Sequence, residues 1–135
     1  MKVVVISIPH TGTRWTLRLL QGWGLGLGPE EAQGAHVTKP GWRELMASAD
    51  KVVVPLRDRA LSEAGVRRHQ QVPCGDTEWA TLMSLGERGD VFYLPIPPTE
   101  DGIVGLANFL GVDIGPVDWS PLGDDPKTLN AERVA

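Results

Sequence analysis

A chain of 135 residues with 41% hydrophobic content fits one globular domain with its own core and excludes a disordered chain. No apolar run reaches the roughly 20 residues of a membrane span, and the net charge of −4 argues against general nucleic-acid binding, which depends on Lys and Arg at the phosphates. A single cysteine, unable to form an internal disulfide, and a start without a signal-peptide pattern favour a cytoplasmic protein with no membrane partner, while the oligomeric state stays open.

The first predicted element is a buried β-strand over the continuous apolar run Lys2–Ile8. The run stops at Pro9, and a short glycine-containing turn leads into a helix that begins near Thr16 and ends near Gly22. A strand, a tight turn and a helix N-terminus bring backbone N–H groups together, and the helix dipole adds partial positive charge. The turn is therefore either an anion site or an ordinary strand–helix connection.

The rest of the chain alternates apolar runs with helical patterns. We predict strands over 35–39, 51–56 and 90–96, and helices over 40–48, 58–70, 78–85, with Thr77 as its cap, and 99–110. This order predicts a three-layer, P-loop-like α/β fold with a four- or five-stranded, mainly parallel sheet. The domain would cover residues 1–112, and an irregular acidic tail would follow over 113–135.

Candidate site residues follow the carboxyl ends of the predicted strands, the edge where parallel sheets bind ligands. Those in the first turn are His10, Thr11, Gly12, Thr13, Arg14 and Trp15. Arg57 ends the third strand and Ser62 follows it, and a guanidinium with a hydroxyl suits a phosphate. Arg57 can equally form a structural ion pair with Asp58. His36 is either a structural histidine at a strand end or a proton acceptor near neutral pH.

The segment Ile8–Leu17 resembles the 5′-phosphosulfate loop of sulfotransferases that use 3′-phosphoadenosine-5′-phosphosulfate (PAPS). The match lies at Thr11–Trp15 and at Leu17, whereas His10 occupies the position of the family's lysine. The resemblance implies that the loop from His10 to Trp15 holds the 5′-phosphosulfate of PAPS.

A second segment, Val52–Arg59, is similar to the strand of that family that ends in Arg-Asp-Pro and precedes a helix with a serine. This implies that Arg57 and Ser62 bind the 3′-phosphate of the nucleotide. Two departures accompany the match: Arg59 replaces the proline, and Ser62 lies closer to Arg57 than the family's serine does.

Residues 36–40, His-Val-Thr-Lys-Pro, hold the same residue types as the family's Lys-Thr-His-x-Pro in another order, and 91–111 resembles its late strand and helix. The resemblance implies transfer of a sulfuryl group from PAPS to a hydroxyl or amine of an unknown acceptor. His36 would deprotonate the acceptor, and His10 or Lys39 would offset charge on the transferred group.

Two alternatives stay open. A catalytically inactive module of the same fold would capture a nucleotide or another phosphorylated small molecule without chemistry, as the short chain and the substituted lysine at His10 allow. A small P-loop kinase is the other alternative. The missing P-loop lysine counts against it, and Asp58 is the only carboxylate well placed for Mg²⁺.

Overall fold

A computed structural model of the chain describes residues 1–9, 11–25 and 34–117. The described helices and strands are β1 (Val3–Ser7), α1 (Thr13–Gly22), β2 (Gly34–His36), α2 (Trp42–Ala47), β3 (Lys51–Arg57), α3 (Arg59–Arg68), α4 (Asp76–Ser84), a 3-10 helix (Leu85–Arg88), β4 (Val91–Ile96) and α5 (Glu100–Leu110). None of these helices has the length and apolar character needed to cross a membrane.

The four strands form one parallel sheet in the order β2-β1-β3-β4. The predicted α/β fold with a parallel sheet is therefore confirmed. The chain leaves β1 towards β2 on one side and returns to β3 on the other, where Val5 lies opposite Val53. Such a reversal opens a crevice at the carboxyl ends of the two central strands, which is where doubly wound sheets bind ligands.

Both faces of the sheet are covered by helices because β1 and β3 are apolar at alternating positions on either side. On one face, which we call the α1 face, the strands pack against α1 and α5 through Val3, Val5, Trp15, Leu19, Leu20, Val53, Leu94, Ile96, Ile103, Leu106 and Leu110. The opposite face, the α2 face, packs against α2 and α4 through Val4, Ile6, Ile8, Trp42, Ala49, Val52, Val54, Trp79, Leu82 and Leu85. The result is a three-layer arrangement.

Side-chain caps mark the starts of two helices, α3 and α5. Thr99 caps α5 as its Oγ1 accepts the N–H of Gly102 at 3.1 Å, so the predicted start of this helix is confirmed. Asp58 caps α3 by accepting from the N–H groups of Ala60 and Leu61 at 3.0 and 3.3 Å. The first helix begins at Thr13, a turn earlier than Thr16.

Two predicted boundaries are wrong. The strand expected over 35–39 ends at His36, because the chain turns there and the N–H of Lys39 donates to the His36 carbonyl at 3.0 Å. The α4 helix starts at Asp76 after Gly75, so Thr77 lies inside the first turn and is not the cap. The predicted tail over 113–135 lies mostly outside the described residues.

Candidate anion-binding site

The connection between β1 and α1, residues 8–13, crosses the carboxyl edge of the sheet. Gly12 has φ of +92°, a left-handed conformation that glycine adopts without strain, and this lets the helix start at once at Thr13. A Cβ at Gly12 would come within 3.2 Å of the Ile96 side chain. Because Ile96 is the register partner of Arg57, the connection lies above the ends of β3 and β4 as well as β1.

The backbone donors in the first turn of α1 have no hydrogen-bond acceptor among the residues that the structure describes. Its first helical hydrogen bond joins the N–H of Thr16 to the Gly12 carbonyl at 2.9 Å, and no side chain caps the helix. Among the described residues, none accepts a hydrogen bond from the N–H groups of Thr13, Arg14 or Trp15. No acidic residue lies in this turn either. Free donors at the positive end of a helix dipole form a site for an anion.

The threonine hydroxyls brace this connection. The Thr11 Oγ1 is fully buried and donates to the Ile8 carbonyl at 2.7 Å. The Thr13 Oγ1 lies 2.5 Å from the Oγ of Ser7 in β1. Both hydroxyls therefore fix the shape of the connection through bonds within the protein.

The predicted residues after β3 come together with this connection. Ser62 is 1% exposed, and its Oγ donates to the Pro9 carbonyl at 3.3 Å, which ties α3 to the end of β1. Arg57 is 6% exposed and donates from Nη2 to the Leu61 carbonyl at 3.1 Å. A ligand that used Ser62 would have to replace its bond to Pro9.

Arg59, which stands at the position of the family's proline, is engaged elsewhere. Its guanidinium pairs with Glu63 at 2.8 Å and with Asp76 at 2.7 Å, and it lies over the Trp79 ring at 5.6 Å. Hydrogen bonds to Glu63 and then to Asp76 raise the pKa of Arg59 above its ordinary value. This residue therefore joins α3 to α4 and takes no part in the anion site.

The second strand brings His36 beside the same edge. His36 is the register partner of Ser7, and the N–H of Val37 donates to the Ser7 carbonyl at 2.9 Å. Lys39 lies in the exposed turn that follows. His36 is therefore one strand away from the connection, whereas Lys39 projects from a turn beyond the sheet.

Two further candidates differ in exposure. Arg14 is exposed in the first turn of α1, whereas the Trp15 side chain is fully buried in the core of the α1 face. The Trp15 indole N–H has no hydrogen-bond partner among the described residues. Trp15 can therefore offer a ligand its backbone N–H and not its ring. His10 lies outside the described residues.

Two contributors to the site were not singled out from the sequence. Ser7 contacts Thr13 through its hydroxyl. In the sequence, Ser7 differs from its neighbours only as a hydroxyl residue near the end of an otherwise apolar strand. Ile96 bounds the connection above β4, which only the strand order reveals. Within the described part of the chain there is no cluster of three or more His, Cys, Asp or Glu side chains able to hold a metal ion.

The fold is therefore a three-layer α/β fold with a parallel sheet, and the candidate anion site lies where the strand order reverses, at the carboxyl ends of β1 and β3. Comparison of the chain with protein-family models, with curated proteins and with solved structures gives no match.

Proposed function

We propose that this protein binds PAPS, or its product 3′,5′-ADP, at the β1–α1 connection and transfers a sulfuryl group to a hydroxyl or amine. The observation that supports the proposal is that no described residue accepts a hydrogen bond from the N–H groups of Thr13, Arg14 or Trp15, at the point where the strand order reverses. These donors fit the phosphosulfate oxygens, since a helix N-terminus with free amides stabilises an anion.

A second phosphate would bind near Arg57. Its guanidinium lies at the end of β3, joined to the first connection through α3 by the bond between Ser62 and Pro9. A bidentate guanidinium recognises a phosphate better than a point charge does. The two anion positions on neighbouring strands support a nucleotide with phosphates at both ends of its ribose.

The transfer needs a base and a positive charge. The acceptor oxygen or nitrogen forms a bond to sulfur while the bond from sulfur to the bridging phosphate oxygen breaks, and that oxygen keeps the electron pair. His36 would take the acceptor's proton, and His10 or Lys39 would offset the charge that develops on the bridging oxygen. His36 next to Ser7 supports the first role, because both lie at the same sheet edge.

Calorimetric titration with 3′,5′-ADP, PAPS, ATP and GTP tests the class of nucleotide. We expect 3′,5′-ADP and PAPS to bind and Arg57→Gln to weaken both by about tenfold or more, since a hydrogen bond to a charged group contributes about 1.5–3 kcal/mol. Arg67→Gln, which removes an equal charge from the exposed end of α3, is the matched control. A preference for ATP with Mg²⁺ would replace this proposal with the kinase alternative.

Incubation with labelled PAPS and a panel of hydroxyl and amine acceptors tests the chemistry. We expect His36→Ala to slow transfer by about 100-fold or more, the usual contribution of a general base. A similar loss is expected for His10→Ala, since a positioned donor contributes about 3 kcal/mol to such a barrier. The His36→Ala variant should keep its affinity for 3′,5′-ADP within a few fold.

A second candidate function is capture of a phosphorylated small molecule without chemistry. The bonds of Thr11 and Ser62 to backbone carbonyls favour it, because these hydroxyls already serve the protein. Tight binding of 3′,5′-ADP together with undetectable transfer from PAPS to any acceptor would establish this function instead.

A further inference from the structure

A cavity of about 290 Å³ opens beside the turn between β2 and α2, and residues 37–44 line it. Its volume is at the lower end of the range for small-molecule sites. Part of its wall is apolar, with Val37 half-buried and Trp42 6% exposed. The rest of its lining is polar and charged and comes from Thr38, Lys39, Arg43 and Glu44.

Within the described ranges, no ion pair neutralises the charged side chains of this cavity. Lys39, Arg43 and Glu44 form no ion pair with one another or with any other residue in the described ranges. The Arg43 guanidinium lies 4.5 Å from the centroid of the Trp42 ring, a cation–π contact that holds it at the cavity wall. Two cations against one carboxylate leave the lining with a net positive charge, which favours an anionic ligand.

The cavity adjoins the anion site. Val37 and Trp42 pack in the core of the α2 face together with Ile8, the residue that leads into the β1–α1 connection. Val37 also donates its N–H to Ser7, whose hydroxyl contacts Thr13 at the start of α1. The cavity and the free amides of α1 are therefore joined through neighbouring strand ends at one edge of the sheet.

We infer that this cavity holds the acceptor of the transfer reaction and that the acceptor is a small hydroxylated acid. Lys39 and Arg43 bind its carboxylate, the apolar wall of Val37 and Trp42 contacts its body, and its hydroxyl lies towards β1. The acceptor role depends on the proposed function, whereas the anion-binding role of the cavity does not. In this arrangement Lys39 binds the acceptor, which leaves His10, of the two candidates, to offset the charge on the bridging oxygen.

The probe is 4-hydroxybenzoate, followed by amide chemical shifts of the ¹⁵N-labelled full chain, with 4-hydroxybenzamide as the uncharged compound of matched shape. We expect 4-hydroxybenzoate to shift the amides of residues 37–44 and to bind about tenfold or more tightly than the benzamide. Lys39→Met and Arg43→Gln should each weaken its binding by a similar factor. Arg67→Gln, at the exposed end of α3, should leave it unchanged.

Equal affinities for 4-hydroxybenzoate and 4-hydroxybenzamide, or unchanged chemical shifts in residues 37–44, would overturn the inference. Titration of the same sample with 3′,5′-ADP, followed at residues 11–15, separates the two proposals. If the nucleotide binds and the acid does not, only the acceptor cavity is wrong. If the acid binds and the nucleotide does not, the proposed function is wrong, and the acceptor role is overturned with it.

Discussion

At the scale of single residues, Gly12 determines the backbone geometry of the candidate anion site. Its positive φ turns the chain from β1 into α1 without a capping side chain, and its lack of a Cβ lets Ile96 approach. A residue with a side chain would meet both the left-handed strain and the contact with Ile96. The free N–H groups that follow depend on this conformation.

We expect Gly12→Ala to destabilise the fold by about 1–3 kcal/mol, from strain at positive φ together with the contact at Ile96. It should also weaken 3′,5′-ADP binding. Urea unfolding and calorimetric titration measure the two effects. Gly22→Ala is the control, because Gly22 lies in α1 with nothing within 4 Å of an added Cβ, and alanine there should be neutral or stabilising. Equal losses in both variants would contradict this account of Gly12.

The sequence located Gly12, Arg57 and Ser62 because glycine, arginine and serine after apolar runs are visible as local patterns. It did not indicate that the Ser62 and Thr11 hydroxyls would bond to the carbonyls of Pro9 and Ile8. Those bonds depend on how deeply α3 and the connection are buried against each other. Burial of this kind is a tertiary property that residue spacing does not encode.

At the scale of elements, α1 contrasts with the other long helices. Side chains cap α3 and α5, at Asp58 and Thr99, and α5 adds two acidic residues in its first turn. The α4 helix has no side-chain cap, but its first turn contains Asp76 and Glu78. The first turn of α1 has neither a cap nor an acidic residue. Helices that serve only packing gain stability from such features, so the N-terminus of α1, which has neither, fits the anion-binding role proposed for it.

We expect Thr99→Ala to cost about 1 kcal/mol of unfolding free energy, because the Gly102 N–H loses its acceptor at the start of α5. Thr77→Ala is the matched control, since the Thr77 side chain makes no hydrogen bond within the described ranges, and its effect should stay within about 0.5 kcal/mol. Denaturant unfolding of both variants measures the difference. A larger cost for Thr77→Ala than for Thr99→Ala would contradict the observed helix starts.

The start of α4 was missed for a tertiary reason. Thr77 before an apolar helical pattern is a good local cap, but Asp76 pairs with Arg59 of α3 and Trp79 packs in the core of the α2 face. These contacts favour a start two residues earlier, at Asp76 after Gly75. The start of α5 was found because its Thr99 cap is purely local.

At the scale of the whole molecule, the apolar runs predicted the parallel sheet and its two covered faces, because strands buried on both sides need apolar residues throughout. The strand order was not predicted. It depends on which side of β1 each crossover takes, and no residue of β2 or β3 records that choice. The pairing of Val5 with Val53 therefore had to come from the structure.

The free energy of unfolding should fall at alkaline pH, because two groups lose their protons there. Burial raises the pKa of the Cys74 thiol and of the Tyr93 phenol above their ordinary values. The native state thus holds these protons more tightly than the unfolded chain. The two groups stabilise the native state fully at pH values below their pKa in the unfolded chain, about 8.5 for Cys and 10 for Tyr. This stabilisation is lost as the pH rises through their raised pKa values in the native state.

We therefore expect the unfolding free energy to fall between about pH 8.5 and 11, and to fall less steeply in the double variant Cys74→Ser/Tyr93→Phe. Urea unfolding across this range provides the measurement. Tyr93→Phe alone should also cost about 1–2 kcal/mol at pH 7, since the hydroxyl donates to the Leu82 carbonyl at 2.7 Å and accepts from the Gly86 N–H at 2.9 Å. An unchanged slope in the double variant would show that other groups cause the loss.

The central position of β1 also bears on how the chain folds during synthesis. The ribosome makes β1 first, yet the strand gains its partner β3 only after all of α1, β2 and α2 have emerged. Distant pairings of this kind slow folding relative to helical bundles. A nascent chain that ends before Arg57 would expose an apolar strand with an open edge, the kind of surface that molecular chaperones shield from aggregation.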